Sequence, residues 1–462
     1  MGSHRRAAGF GLAAFSLVAS AVLLPSPARG AAPEAVGSGS ARALLNPIAE
    51  PVDYGPLPLP FLRPAPAAPA PPAPSRPAPN GVAARLPLGA ADLKETRSVS
   101  TLAAGVTLTV IKRGAAASKG KHGAGWVVRV LTIDPAVADG HLATTFGKSL
   151  AGTAPTSTLT RQAHALAGVN ASFFSIGSRL PGIPVGLTVK AGQVLSDPSG
   201  MKREVTLLVD SESNELRIDR LHWSGLLREV DGKRSLRLQK VNAVPRVPHT
   251  CRSARAQRHC AANGQIAVFT PGFGKHTPKG VGTEVVLDRN GCAVQVQSHR
   301  GVRLGHGRSS IQATGSRARA LRALVRNGCV DVSSKLRDRH GAPVDLHSST
   351  AAVSGRFQLL DGGRNTAPTR RGGFFARHPR TLAGTTWDGK IVFATIDGGS
   401  RRSIGATLPQ AARVAHALGL RDAINLDGGG STTMAIRGKP ANQVSGGRER
   451  PVSDALVWVH KD

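Results

Sequence analysis

Aromatic and acidic residues are scarce in this sequence, and each shortage narrows the range of functions. The 462 residues include 12 Phe, 4 Trp and 1 Tyr, and 28 acidic residues stand against 60 Lys and Arg, for a formal net charge of +32. Few aromatics and the lack of a recognised nucleic-acid-binding module argue against specific nucleic-acid binding, although the charge predicts polyanionic surroundings. Hydrophobic residues make up 40% of the chain, which excludes wholesale disorder.

Common catalytic motifs are missing around the most glycine-rich loop, residues 427–431. No Gly-Lys-Ser/Thr follows its glycines, so it is not a phosphate-binding P-loop, and it does not match the dinucleotide fingerprint. Ser431 lies in Gly-Gly-Ser-Thr-Thr, whereas a nucleophile elbow requires Gly-x-Ser-x-Gly. These absences argue against kinase and serine hydrolase chemistry.

Cysteine is rare and forms no Cys-x-x-Cys pair, which argues against a metal site. The four cysteines are Cys251, Cys260, Cys292 and Cys329. They fit an oxidising compartment and permit three disulfide pairings. A bond between Cys251 and Cys260 would close a short basic loop, and one between Cys292 and Cys329 would link two strand-like segments.

Long apolar runs are missing after residue 24, so no further membrane span is predicted. His4, Arg5 and Arg6 precede the apolar residues 7–24, and small residues follow, a pattern typical of a signal peptide over residues 1–30. A membrane anchor is the alternative, since about 18 apolar residues approach the spanning length. We expect a secreted or cell-envelope protein with no membrane span after signal removal, and its oligomeric state stays open.

Proline and alanine dominate residues 31–95. Proline fixes φ and donates no backbone hydrogen bond, so this segment is predicted to be an extended, solvated linker. We expect folded structure from Thr96, as one domain over residues 96–462 without internal repeats.

Segments rich in β-branched and apolar residues predict strands throughout that domain. They are residues 106–111, 126–133, 204–209, 265–269, 284–287, 391–396, 424–426 and 455–459. Two helices are predicted among them. One is capped by Ser157 or Thr158 and runs through Leu166, and one begins with a capping box at Thr407 and stops at Gly419. Many strands with few helices predict an α+β fold, a single large mixed-sheet domain.

Two aspartates follow predicted strands at positions suited to a ligand site. Asp397 follows one strand, Asp427 follows the next, and the helix 408–418 lies between them. If the two strands are parallel, both carboxylates lie at one edge of the sheet, where α/β proteins place ligand crevices. The glycines 428–430 would let the backbone approach a ligand closely. An isolated Asp-Gly is otherwise typical of a turn.

The segments around Asp427 resemble a known family. Residues 425–434 (Asn-Leu-Asp-Gly-Gly-Gly-Ser-Thr-Thr-Met) are followed by Gly438, Asn442 and residues 449–456 (Glu-Arg-Pro-Val-Ser-Asp-Ala-Leu). This combination is similar to the signature of the phosphodiester glycosidase family.

Earlier segments resemble the same family in the same order. They are residues 168–174 (Gly-Val-Asn-Ala-Ser-Phe-Phe), 184–187 with Gly192 and Gln193, 377–384, and Asp397 with Gly398. The resemblance covers residues 96–459. Asp454 stands where the family usually has Asn, and the basic segment 220–279 does not align.

The resemblance implies a hydrolase that cleaves the sugar–phosphate bond of a glycosyl phosphodiester. The substrate does not follow from the resemblance, and we expect a phosphate-containing glycan of a cell wall or capsule. The site then needs cations for the growing phosphate charge and a carboxylate for the sugar or the attacking water. Asp427 and Glu449 are the predicted catalytic carboxylates, in the roles of general base or nucleophile and general acid, with Asp397 in reserve. Arg380 and Arg450 are predicted to bind phosphate, since the guanidinium fork can hold two of its oxygens.

Other residues of these motifs are predicted to contact the substrate or its phosphate. They are Asn170, His378, Gly428, Gly429, Gly430, Ser431 and Thr432. The chemistry requires no cofactor or metal, although clustered aspartates leave room for a structural Ca²⁺. The alternative function is a non-catalytic envelope polysaccharide-binding protein that retains the fold.

Overall fold

The computed structural model describes residues 85–115, 125–176 and 182–461, without the side chain of Asn327. The predicted signal peptide and residues 31–84 of the predicted linker lie outside these ranges. Packed structure begins earlier than the predicted Thr96, because Leu86 and Leu88 are 1% and 0% exposed. Arg113 donates to the Leu88 carbonyl (2.7 Å), which holds this segment against the sheet. The residues from Leu86 to Glu95, which were predicted to be linker, are therefore part of the packed structure.

Strands occupy most of the described chain. In chain order they are β1 (Glu95–Ala103), β2 (Val106–Arg113), β3 (Trp126–Ile133), β4 (Gly140–Phe146), β5 (Ala167–Asn170), β6 (Thr188–Lys190), β7 (Gln193–Ser196), β8 (Glu204–Asp210), β9 (Leu216–Asp219), β10 (His222–Glu229), β11 (Ser235–Leu238), β12 (Lys240–Val241), β13 (Asn263–Phe269), β14 (Gly280–Leu287), β15 (Ala293–Arg300), β16 (Ser309–Gly315), β17 (Val330–Arg337), β18 (Pro343–Val344), β19 (Thr350–Arg356), β20 (Gln358–Asp361), β21 (Arg364–Asn365), β22 (Arg380–Thr386), β23 (Ile391–Ile396), β24 (Leu420–Asn425), β25 (Met434–Ile436), β26 (Lys439–Pro440) and β27 (Asp454–His460).

Helices are short and few in the same residues. They are α1 (Thr156–Gln162), α2 (Ala254–Arg258), α3 (Arg317–Leu324) and α4 (Leu408–Ala417), with 3₁₀ turns at His249–Cys251, Val325–Asn327, Gly373–Phe375, Gly429–Ser431 and Ser445–Gly447. With 45% strand and 12% helix, the structure is mainly β rather than the predicted α+β. The sequence patterns revealed the long apolar strands but missed many short ones, which carry little periodic signal.

The strands of the described chain form five sheets within one domain. Their orders are β1-β2-β3-β23-β22-β24-β20-β21, β11-β10-β17-β18, β12-β13-β16-β14-β15, β7-β6-β19-β8-β9 and β26-β25-β5-β27-β4. The eight-stranded sheet is the one that carries both predicted aspartates.

This eight-stranded sheet is packed on both faces. Successive side chains of β23 point to opposite sides, as strand geometry requires. Ile391 and Phe393 pack against Trp458 of β27 in one core. Val392 packs on the other side with the apolar face of α4, which includes Ala411. Burial on both faces explains why β23 reads as a continuous apolar run in the sequence.

Helix α4 confirms its predicted capping box. The Thr407 hydroxyl accepts from the Gln410 amide (3.3 Å), and the Gln410 side chain accepts from the Thr407 amide (2.9 Å). Gly419 stops the helix with φ 80°, a left-handed conformation that favours glycine. The helix thus links β23 to β24 with defined ends.

Helix α1 is shorter than predicted and starts earlier. It begins at Thr156, directly after Pro155, and ends at Gln162 rather than near Leu166. His164 adopts φ 51°, which breaks the helix and turns the chain into β5. The apolar residues that suggested a longer helix belong to this turn and to the strand.

Both suggested disulfides are present, Cys251 with Cys260 and Cys292 with Cys329. The first closes the basic loop around α2, and the second lies at an isolated bridge between the segments before β15 and β17. Within the described ranges, none of the helices has the length and apolarity needed to cross a membrane.

Candidate functional site

The two predicted aspartates leave the same edge of the eight-stranded sheet. β23 and β24 are each antiparallel to β22, so they run parallel to each other with β22 between them. Arg380, at the start of β22, pairs with Ile396, and Leu382 pairs with Asn425. The carboxyl ends of β23 and β24 therefore flank the amino end of β22. This geometry brings Asp397, Arg380 and Asp427 to one edge.

Asn170 fixes the loop that carries Asp427. Its amide nitrogen donates to the Asp427 carbonyl (2.7 Å), and its side-chain oxygen accepts from the Thr381 hydroxyl (2.8 Å) and the Thr433 amide (3.1 Å). The residue is 0% exposed. Asn170 therefore positions the loop, in place of the substrate contact predicted for it, because its side chain is used inside the protein.

Burial dominates the electrostatics of Asp427. Loss of solvent raises the pKa of Asp427 to about 6, against the opposing effects of the Ser431 hydroxyl, the Arg450 charge, the Gly428 amide and the Arg356 charge. The Gly428 amide donates to its carboxylate at 3.0 Å. A carboxyl group with this pKa can exchange a proton near neutral pH.

Ser431 connects Asp427 with Arg450. Its hydroxyl bonds to the Asp427 carboxylate and accepts from Nη1 of Arg450 at 3.4 Å. Arg450 also lies against the glycine loop, residues 428–430. Its Nη2 is 2.3 Å from the place where a β-carbon would lie if Gly430 had a side chain. Ser431 is buried and links these two side chains, whereas Arg450 is exposed.

Arg356 is a site residue that the sequence patterns missed. It ends β19, and its guanidinium lies 4.4 Å from the centroid of the Phe173 ring. Burial lowers the pKa of Arg356, while the charges of Asp427 and Glu204 oppose that effect. Its Nε is buried and has no hydrogen-bond partner among the described residues. No motif surrounds Arg356, so only the packed structure places it beside Asp427.

Arg380 is buried at the centre of the edge. It is 1% exposed, and its guanidinium donates to the carbonyls of Ala406 (2.9 Å), Phe374 (2.8 Å) and Ala376 (2.8 Å). Burial lowers the pKa of Arg380 to about 10. No ion pair joins it to an acid within the described ranges, so its charge adds to the positive potential next to Gly428.

Asp397 lies beside a separate cation. It is 2% exposed, and its carboxylate accepts from Nη1 of Arg129 at 2.6 Å. Burial raises the pKa of Asp397, and Arg129 opposes the rise. An open cleft of about 800 Å³ lies alongside, lined by residues 398–402 and 442–447. Asn442 in its wall donates to the Thr432 carbonyl (3.1 Å), which connects the cleft to the glycine loop.

Asp454 is a second carboxyl group near Asp427. It is 0% exposed and accepts from the Ser172 amide at 2.6 Å. Burial raises the pKa of Asp454 to about 6, and the neighbouring charge of Asp427 adds to the rise. Both aspartates contact the same dipeptide, because the Asp427 amide donates to the Ala171 carbonyl (2.9 Å). The residue stood out in the sequence only as an Asp where the similar family usually has Asn.

The Glu449 carboxylate accepts two hydrogen bonds at the start of α1. One carboxylate oxygen accepts from the Ser157 hydroxyl (2.5 Å) and the other from the Ser157 amide (3.0 Å). An acidic side chain at this position satisfies a free amide and complements the helix dipole. The structure thus gives Glu449 a structural partner, while its predicted catalytic role remains a prediction.

Two backbone amides of the glycine loop donate hydrogen bonds within the protein. The Gly428 amide bonds to Asp427, and the Gly429 amide donates to the Pro379 carbonyl (2.9 Å). These two amides are therefore not the free phosphate donors that the glycines suggested. Thr432 is 1% exposed, and its hydroxyl has no hydrogen-bond partner in the described part of the chain.

His378 shapes the neighbouring loop. Its Nε2 lies 2.8 Å from the Gly373 carbonyl, and its backbone bridges to Ala406. The imidazole therefore holds the turn that supplies two carbonyls to Arg380. No group of three or more His, Cys, Asp or Glu that could hold a metal ion occurs in the described residues, so this part of the chain offers no such cluster for the structural Ca²⁺ considered above.

Residues 282–459 match the family model described as phosphodiester glycosidase. This match confirms the resemblance to that family seen in the sequence motifs. The matched range contains Asp397, Asp427, Glu449 and Asp454. Asn170 lies before it.

Three similar proteins extend this comparison. An SPbeta prophage-derived uncharacterized protein of Bacillus subtilis (strain 168) is 41% identical over 86 residues, which span 19% of this chain and only 13% of that relative. A protein of Burkholderia pseudomallei described as exported has a TM-score of 0.68 at 24% identity, covering 82% of this chain and 99% of its own. A hypothetical protein from Synechocystis has a TM-score of 0.56 at 19% identity, covering 80% and 68%. Both solved structures share the fold.

Proposed function

We propose that this chain is an exported phosphodiester glycosidase that hydrolyses the sugar–phosphate bond of a glycosyl phosphodiester in a cell-wall or capsular glycan. The family match over residues 282–459 supports the reaction class. The two disulfides and the signal-like segment 1–30 support a location outside the cytoplasm.

One observation carries the proposal: a buried carboxyl group with a pKa near neutrality lies among cations. Asp427 has a pKa of about 6, and both Arg450 and Arg356 act on it electrostatically. Arg380 adds a third, deeply buried positive charge at the same edge. A phosphate group needs such cations, and a hydrolytic reaction needs a group that accepts a proton.

The reaction follows from this arrangement. Asp427 in its ionised form accepts a proton from a water molecule, whose oxygen bonds to the anomeric carbon. The bond from that carbon to the phosphate oxygen breaks, and its electron pair leaves with the phosphate as a phosphomonoester. Negative charge on the phosphate grows during this step, so Arg450 and Arg356 stabilise the transition state more than the ground state. A phosphate is a good leaving group, which makes an additional general acid unnecessary.

The decisive experiment removes the charge of Asp427. The wild-type protein is incubated with a panel of glycosyl phosphodiesters, and free sugar and phosphomonoester are quantified. Asp427→Asn is expected to lower turnover at least about 100-fold, the usual contribution of general base catalysis. The matched control is Asp388→Asn, whose exposed carboxylate pairs with Lys390 at the surface and leaves turnover unchanged.

Two outcomes contradict the proposal in different ways. Full activity in Asp427→Asn overturns the site assignment but keeps the reaction. Tight glycan binding by the wild type without turnover on any member of the panel overturns the reaction and supports the non-catalytic polysaccharide-binding alternative.

A further inference from the structure

A basic pocket, distinct from the Asp427 site, lies on the five-stranded sheet that contains β5, β25 and β27. It has a volume of about 470 Å³ and lies where the end of α1 meets the turn between β25 and β26. Arg161, His164, Arg437 and His460 line it. Four groups that carry or can carry positive charge therefore converge on a space that the proposed reaction does not use.

This pocket lies away from the Asp427 site. β25 pairs with β5 so that Met434 is opposite Val169 and Ile436 opposite Ala167. The glycine loop precedes β25, whereas the pocket lies beyond its other end, next to Leu166. The length of β5 separates the two, about 13 Å for four residues of extended strand.

Unfavourable backbone conformations place two of these basic side chains. His164 has φ 51° just after α1, a position that usually takes glycine or asparagine. Arg437 has φ 48° and is followed by Gly438 with φ 70°, in a two-residue hairpin turn whose first position favours asparagine. Residues with branched or long side chains are disfavoured at such angles. Strain of this kind concentrates at functional sites, and here both strained residues face one pocket.

The basic groups of the pocket are not neutralised by acids. No ion pair involves Arg161, His164, Arg437 or His460 in the described part of the chain, and the nearby Asp139 pairs with Lys461. Nη2 of Arg437 donates to the Leu102 carbonyl at 2.9 Å, which orients its guanidinium. Nδ1 of His460 is buried without a hydrogen-bond partner among the described residues.

Three carbonyl groups beside the pocket already accept hydrogen bonds within the protein. At the end of α1, the Arg161 carbonyl accepts from the His164 amide (3.1 Å) and the Thr160 carbonyl accepts from the Ala165 amide (3.0 Å). The Leu166 carbonyl accepts from the Arg437 amide (2.8 Å). Two of the last carbonyl groups of the short helix are therefore already bonded, and the basic side chains remain to meet a ligand.

We propose that this pocket is a second anion site that binds a phosphate group, separate from the site at Asp427. Arginine forks suit tetrahedral oxyanions, and the pocket is open enough to accept a phosphate carried on a polymer. The source is either free phosphate or the phosphate of a polyanionic chain.

Arg437→Asn tests the proposal because relief of backbone strain should raise the melting temperature, whereas loss of the guanidinium should weaken phosphate binding. Asparagine is favoured in this turn, so the variant is expected to melt a few degrees above its parent. It removes the charge, so phosphate affinity is expected to fall at least tenfold. Calorimetric titration is done with inorganic phosphate and with a poly(glycerol phosphate), in an Arg450→Gln background that weakens the first site. Arg237→Gln, an exposed arginine on β11, is the control and changes neither quantity.

The two titrations identify the source. Loss of affinity for both ligands assigns the pocket to a polymer phosphate, and loss for inorganic phosphate alone assigns it to the free ion. Unchanged affinity for both ligands in Arg437→Asn overturns the proposal. A fall in melting temperature with unchanged affinity overturns it as well, because it shows that Arg437 serves stability.

Discussion

The guanidinium of Arg450 occupies the space that a side chain at Gly430 would need. A β-carbon built on Gly430 lies 2.3 Å from Nη2 and 2.6 Å from Cζ of Arg450. The absence of a side chain at residue 430 is therefore what lets the arginine approach Ser431 and the carboxylate of Asp427.

Gly430→Ala is expected to displace Arg450 and lower kcat/KM about tenfold or more, because the loss of one charged contact to a phosphate costs at least about 1.5 kcal/mol. Stability should change little, since the atom that must move is the end of a flexible, exposed side chain. Steady-state kinetics and thermal unfolding measure the two effects.

Gly419→Ala is the control for a glycine substitution. This glycine has φ 80° and no atom within 4 Å of an added β-carbon. The variant is expected to lose about 1 kcal/mol through backbone strain and to keep its activity. Equal activity of Gly430→Ala and the wild type would contradict the role of Arg450.

Asp454 predicts a pH dependence of stability. Its pKa is raised from 3.8 to about 6 in the folded protein, so the folded state holds a proton that the unfolded state releases. The associated stabilisation is present below about pH 4 and is lost as the pH rises through about 6. Asp454→Asn removes this loss, so its free energy of unfolding at pH 7 is expected to exceed that of the wild type by about 3 kcal/mol.

The same substitution is expected to shift the pH dependence of kcat/KM. The charge of Asp427 raises the pKa of Asp454. Coupling between two charges is reciprocal, so an ionised Asp454 opposes ionisation of Asp427, and without it Asp427 ionises at lower pH. The acidic limb of kcat/KM should therefore move to lower pH in Asp454→Asn. Denaturant unfolding at pH 4 and pH 7, together with the rate profile, tests both statements. A variant with unaltered limb and unaltered pH dependence would show that the two carboxyl groups are independent.

Glu449→Gln separates helix capping from catalysis. The glutamine loses the charge that accepts from the Ser157 amide at the start of α1, so stability is expected to fall by about 1 kcal/mol. If the Ser157 contact is the main task of Glu449, kcat stays within about twofold of wild type. A 100-fold fall in kcat with a normal Michaelis constant would instead support the general acid role predicted from the sequence.

Local sequence patterns predicted much of the framework around the site. The strands at 126–133 and 391–396 have the predicted bounds, because both are apolar runs buried on two faces. The capping box at Thr407 and the stop at Gly419 depend on neighbouring residues alone. The motif around Asp427 also singled out this carboxyl group, whose catalytic role stays a prediction.

Contacts between distant segments could not be predicted in this way. Arg356 carries no motif, and it reaches Asp427 only because β19 and the glycine loop fold together. Glu449 lies beside Arg450 in sequence, yet its partner is Ser157, which lies 292 positions away. The position of β22 between β23 and β24 is equally invisible in the sequence, although it decides that Asp397 and Asp427 flank Arg380.

Strand β27 lies between β4 and β5 and contributes Asp454, although it is formed by residues at the end of the described chain. During synthesis, β5 and Asn170 emerge long before their partner in this sheet. The carboxyl pair of Asp427 and Asp454 therefore assembles only after nearly the whole domain has been made. Such long-range pairing slows folding. If the chain is exported unfolded, as the proposed function implies, the carboxyl pair assembles only at its destination.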